Sequence, residues 1–100
     1  MTINELTKIH KVLGAGLVNN DGVLTESRIT YDYDAEKLSA LAARVVNRTN
    51  KSLGVEKTLV ILYTQNIVFL VKETEKGIFF VICQKDANIG LVKLKIDKIT

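Results

Sequence analysis

With 100 residues, no proline, 47% hydrophobic and 25% charged side chains, the chain has the composition of one compact domain, residues 1–100, built on a single core. That balance excludes a disordered or low-complexity polymer. A net charge of +3 is too modest to require a nucleic-acid partner, and a single cysteine, Cys83, excludes an internal disulfide framework.

Glu5, Lys8, His10 and Lys11 interrupt the apolar residues of the N-terminus, so it lacks a signal-peptide pattern. Thr64, Gln65 and Asn66 break the longest apolar run, which makes it a pair of strands rather than a membrane span. A cytoplasmic location is the expectation.

Residues 2–13 predict a short helix. Thr2 and Glu5 make a capping box, Ile3, Leu6, Ile9 and Leu13 share one face, and Gly14 can end it. His10, beside the apolar face, reads as a partly buried structural histidine. The stretch AGLVNNDGVLTESRI then supplies two strands around a tight turn. A calcium loop is the competing reading of its centre, but with Gly22 as the loop glycine the first and last ligand positions fall on Leu17 and Arg28. Neither side chain coordinates a cation, whereas a hairpin needs only that Asn, Asp and Gly accept positive φ. Thr25, Glu26, Ser27 and Arg28 give the second strand the polar texture of a sheet edge.

The segment DAEKLSALAARVVNRTNKSLG carries the strongest helix signal, with Asp34 as N-cap and Gly54 as stop. At roughly 100° per residue it divides into three stripes. Leu38, Leu41, Ala42, Val45 and Thr49 are expected to cover the chain's own sheet. Ala35, Ser39, Ala43, Val46 and Asn50 form a flank of short side chains that lets a neighbouring helix approach to about 8 Å. Lys37, Arg44, Arg48 and Lys51 form a basic stripe. Its simplest reading is a solvated face; its functional reading is docking of an acidic partner.

Three strands follow, TLVILYT, NIVFLVKE and GIFFVICQ, joined near Gln65 and at TEKG. Their nearly continuous apolar residues require cover on both faces of the sheet, and therefore helices on both sides. In the final DANIGLVKLKIDKIT, Val92, Leu94 and Ile96 alternate with lysines while Ile89, Val92, Ile96 and Ile99 keep helical spacing, so periodicity alone does not decide. The need for cover and the N-cap signal in KDAN favour a helix, with Gly90 as its weak point.

Candidate catalytic groups are missing. Cys83 ends an apolar strand as a buried thiol, no second histidine or placed carboxylate stands ready to activate a nucleophile, and NKSL lacks the glycines that cradle phosphate. The expectation is a protein that is not an enzyme, with no catalytic residue, no cofactor and no metal.

The order α-β-β-α-β-β-β-α, carrying GAGLVNNDGVLTES, DAEKLSALAARVV and KDANIGLVKLKI in sequence, resembles the Roadblock/LC7 family over almost the whole chain. Each piece is a packing signature, and their joint order carries the resemblance. It implies an α+β, profilin-like sandwich: a five-stranded antiparallel sheet of order 2-1-5-4-3, with the first and third helices on one face and the second on the other. It implies a homodimer joined through the second helices and the edges of the third strands. It further implies a regulatory scaffold acting by protein–protein interaction on a small Ras-like GTPase, similar to prokaryotic members that regulate polarity switches. The alternative is a passive adaptor that ignores nucleotide state, as in dynein or lysosomal signalling complexes. The chain departs from the larger members by being short at both ends.

The residues support a partner independently, because an uncharged apolar edge strand left open is an aggregation hazard. The expected dimer interface is Ala35, Ser39, Ala43, Val46 and Asn50 with Leu59, Ile61 and Tyr63. The expected GTPase-facing residues are Lys37, Arg44, Arg48 and Lys51.

Overall fold

The structure is a computed structural model that describes residues 3–29 and 33–99. Its elements are α1 (Ile3–Thr7), β1 (Val12–Val18), β2 (Leu24–Ile29), α2 (Ala35–Leu53), β3 (Leu59–Tyr63), β4 (Ile67–Thr74), β5 (Gly77–Gln84) and α3 (Ile89–Ile99). The strands form one antiparallel sheet in the order β2-β1-β5-β4-β3, as the family resemblance implies.

Side chains that alternate along a strand point to opposite faces, and both faces of the central strands are apolar. One set, with Ala15, Val68, Leu70, Phe79, Val81 and Cys83, packs against Ile3 and Leu6 of α1 and Val92 and Ile96 of α3. The other, with Val18, Phe69, Val71, Phe80 and Ile82, packs against Ala42 and Val46 of α2. The expected cover on both faces is therefore present, and the final segment is helical. Asn88 caps it: its Oδ1 accepts a hydrogen bond from the Leu91 N–H at 3.0 Å.

The α2 boundaries fall where the caps put them. Asp34 Oδ1 accepts from the Glu36 and Lys37 N–H groups at 3.0 and 3.2 Å, and Gly54 closes the helix in the left-handed region at φ 65°. In the hairpin turn, Asn19 Oδ1 accepts from the N–H groups of Asp21 and Val23, and Gly22 sits at φ 83°. The amide side chain thus serves the turn's own backbone.

The first helix is shorter than expected. It ends at Thr7, and the chain reaches β1 through a turn in which Lys11 adopts φ 70°. Ile3, Leu6 and Ile9 do share the buried face, but Leu13 belongs to β1 and packs with the α2 layer, and Gly14 is a mid-strand residue paired with Ile29. The proposed capping box includes Thr2, which lies outside the described residues. His10 is exposed, contrary to the expectation of partial burial, because the helix has already ended before it.

Gly16 lies opposite Phe80 in the β1–β5 register, and a Cβ built on Gly16 would stand 2.3 Å from the Phe80 ring. The ring occupies the place of the missing side chain and contacts Phe69 at a centroid distance of 5.9 Å. Gly16→Ala should cost about 1–3 kcal/mol through overpacking. Gly90→Ala, where the new Cβ meets only Asn88 Oδ1 at 3.5 Å, should be neutral or stabilise by up to about 1 kcal/mol. Chemical denaturation of the two variants checks both signs.

Candidate functional site

The helix α2 lies across one face of the sheet, and its buried line is Ser39, Ala42 and Val46, with Leu38 partly buried beside them. That line is rotated on the order of 60° from the stripe expected in the sequence. Leu41, placed there at the centre, is 38% exposed, whereas Val46 is 1% exposed. The bulky residues come from the sheet. Phe69, Phe80 and Ile82 fill the space under the helix, so short side chains are what fits above them. Ser39 tolerates burial because its hydroxyl donates to the Glu36 carbonyl at 2.9 Å.

The flank of short residues expected at a dimer interface is consequently turned inward. Ser39 and Val46 are enclosed by their own chain, and Ala43 joins Ser39, Glu36 and Ala40 in a groove against Gly22, Val23 and Leu24 of the hairpin. Ala35 is half-buried. Asn50 is engaged internally as well: its Nδ2 donates to Glu73 Oε1 at 2.9 Å, and its Oδ1 accepts from Thr58 Oγ1. The opposite flank of α2 carries exposed Leu41 and half-buried Val45.

Among the described residues the edge strand β3 pairs only with β4. Leu59, Ile61 and Tyr63 stand opposite Lys72, Leu70 and Val68, on the face of the α1–α3 layer. Leu59 and Tyr63 are exposed, while Ile61 is partly buried against that core. Val60 and Leu62 stand opposite Val71 and Phe69, on the face that α2 covers. The β3 residues that share the face of α2 are thus Val60 and Leu62, which the sequence reading did not select. The available signal was the strand's period of two: only alternate residues share the helix's face.

Lys37, Arg44, Arg48 and Lys51 do come together, on the outer face of α2 directly opposite its buried line. Arg44, Arg48 and Lys51 line a shallow concavity with Asn47 and Ser52. Among the described residues the ion pairs are Lys11–Asp86 and Lys72–Asp97, so none of these four cations is paired with a described acid. The arrangement offers charge to an acidic surface and no reactive group.

Among the described residues no cluster of three His, Cys, Asp or Glu side chains has the spacing to hold a metal, and no helix is long and apolar enough to cross a membrane. Cys83 is fully buried in β5, and burial pushes its thiol up to about 11. The folded state therefore holds the thiol proton more tightly than the unfolded chain. This contribution to stability is complete below the ordinary value of 9.0 and is lost as pH rises toward about 11. A thiol reagent at mildly alkaline pH should label Cys83 only in denaturant; labelling of the native chain as fast as of the unfolded one would show that β5 opens readily.

A family model described as Roadblock/LC7 domain matches residues 1–92. Among solved structures, a Roadblock/LC7 domain from Streptomyces avermitilis superposes with a TM-score of 0.84 at 14% identity, covering 96% of this chain and 86% of that one. MglB of Myxococcus xanthus superposes at 0.78 with 24% identity, over 94% of this chain and 81% of that chain. The gliding protein MglB of Thermus thermophilus superposes at 0.77 with 17% identity, over 96% and 78%. No curated protein matches the chain in sequence.

Proposed function

The chain belongs to the Roadblock/LC7 domain family, and from that premise we propose that it acts as a homodimeric regulatory scaffold that binds a small Ras-like GTPase in one nucleotide state. The observation that carries this reading is the adjacency of two features on one side of the molecule. The apolar edge strand β3 lies in contact with α2, and the same helix presents outward four cations that have no ion-pair partner among the described residues.

The dimer forms by pairing β3 with β3 of a second copy. The N–H and C=O groups of the edge gain partners, and Leu62 and Leu41 leave water. Exposed apolar edges without charge or proline invite this pairing, and β3 contains only Leu, Val, Ile and Tyr. The interface is therefore proposed around Leu59, Val60, Ile61, Leu62 and Tyr63 with Leu41 and Val45. Ala35 and Ala43 are peripheral to it, and Ser39, Val46 and Asn50 support it from within their own chain.

The GTPase docks on the paired α2 helices through Lys37, Arg44, Arg48 and Lys51. Exposed cations accelerate encounter with an acidic surface and orient it. The scaffold alters the nucleotide cycle by binding one switch conformation more tightly than the other, since only differential affinity shifts an equilibrium. It donates no catalytic residue.

Light scattering at micromolar concentration should report twice the 11.1 kDa of the chain. Leu62→Lys should yield a folded monomer, because Leu62 is 36% exposed in the protomer but would bury an unpaired charge on pairing. A wild-type monomer, or an unaffected variant dimer, rejects the interface. With the dimer intact, Arg44→Glu combined with Arg48→Glu should slow association with the GTPase about tenfold or more at low salt and flatten its salt dependence. An unchanged on-rate removes docking from α2. Equal affinity for GDP-loaded and GTP-analogue-loaded partner would instead identify a passive adaptor.

A further inference from the structure

The face of the molecule opposite α2 carries a second cationic surface of different composition. In α3, Val92 and Ile96 are buried against the sheet, while Leu94 is 59% exposed and Leu91 41% exposed. Single exposed leucines are ordinary on protein surfaces. Here the two lie three residues apart, neighbours on one helical face, and lysines frame them: Lys93, Lys95 and Lys98 on the same helix. Across a cleft shared with Leu91 and Lys95 stand Lys8 and His10 of the α1 end, together with Ile9 and Glu5.

Among the described residues the acids in this region do not balance the lysines. Asp97 pairs with Lys72, and Asp86 pairs with Lys11, which holds the Asp86 carboxyl below its ordinary value chiefly through the hydrogen bond from the lysine side chain. Glu5 is the acid in the cleft, against Lys8 and Lys95. Lys93, Lys95 and Lys98 have no ion-pair partner among the described residues.

We propose that this face of α3 docks on an anionic lipid surface. An apolar crest bordered by lysines is the pattern of a helix lying in a membrane interface. The crest enters the boundary between headgroups and acyl chains, while the long lysine stems let their ammonium groups reach the lipid phosphates. Shape favours a bilayer over an acidic peptide, because Leu94 crowns the outer side of the helix and does not line the cleft that would receive a peptide. The α2 stripe differs: its outermost residues are cations without an apolar crest, which suits a protein partner rather than lipid. Lipid binding here rests neither on the dimer nor on the GTPase.

The test is co-sedimentation of the full chain with vesicles of phosphatidylcholine, and with vesicles of phosphatidylcholine mixed with phosphatidylserine at roughly two to one. Binding to the anionic vesicles should be at least about tenfold tighter at low salt and should weaken as salt rises. Leu91→Ser combined with Leu94→Ser, and separately Lys93→Ser combined with Lys98→Ser, should each reduce it about fivefold or more. Both variants change exposed side chains, so circular dichroism and melting temperature should stay close to wild type; Leu94→Ala is the milder substitute if the double serine variant unfolds. Absent binding, equal affinity for both vesicle types, or full binding by the leucine variants overturns the proposal. So does loss of binding in Arg44→Glu combined with Arg48→Glu while the leucine variant binds, which would move the lipid surface to α2. Capture of an amphipathic Glu/Leu peptide without any vesicle binding would make the face a peptide site instead.

Discussion

Burial of β4 and β5 on both faces is the constraint from which the rest of the architecture follows. Val68 to Val71 and Phe79 to Cys83 are all buried, so neither side of the central sheet meets water. Two helical layers are then obligatory, and they are separate cores rather than one. The arrangement leaves each layer with an outer side of its own. One is the cation-rich back of α2, the other the leucine and lysine crest of α3, and the thickness of the sheet keeps them apart. A single constraint on strand burial thus produces two independent surfaces on a small domain.

Polar contacts link the end of the helix α2 to the approach to the edge strand. Glu73 on β4 accepts hydrogen bonds from Asn50 Nδ2 and from the Lys57 N–H, each at 2.9 Å, and Asn50 in turn receives Thr58 Oγ1. Lys57 adopts φ 57°, an unfavourable region for a side chain with a Cβ, and its N–H is held by that carboxylate. The clamp fixes where α2 ends relative to where β3 begins. Both elements leave apolar residues exposed, Leu41 on α2 and Leu59, Leu62 and Tyr63 on β3, and the clamp sets their alignment in the protomer itself, so less ordering is left to occur on association.

Elements defined by local signals were legible in the sequence. Asp34 and Gly54 bound α2 because capping is chemistry of one residue and its neighbours, and Asn88 starts α3 for the same reason. The sheet order and the helix faces followed from the family resemblance, and the need for two layers from the unbroken apolar strands. The rotation of α2 was not legible. Sequence ranks apolar residues by size, but the helix meets a sheet whose phenylalanines already fill the space, so small residues face inward and Leu41 faces out. The same blindness to the opposing layer placed Ser39 and Val46 at an interface. The end of α1 was missed because Leu13 keeps helical spacing with Ile9 by coincidence, while the turn at Lys11 has a positive φ that no glycine announces. His10 went with it. The basic stripe was legible because exposed charge needs no knowledge of the opposing layer.

The two edges of the sheet are chemically unlike, and the difference bears on how far pairing can go. β2 exposes Thr25, Glu26, Ser27 and Arg28, which resist a flush second strand, whereas β3 offers only apolar side chains. Pairing at β3 alone closes after two copies instead of running on as a fibre. Antiparallel pairing of identical edge strands places the two-fold axis perpendicular to the sheet. Both α2 helices then lie on one side of the extended sheet, and both α3 crests on the other. In such a dimer the cations of two α2 helices would form a single broad docking surface, too wide for one protomer to supply. The two α3 crests would point the same way, as a flat anionic surface requires for simultaneous contact, and the second contact would be made at the high effective concentration set by the first. A dimer of this shape would hold a protein on one side and a lipid surface on the other with no change in its own conformation.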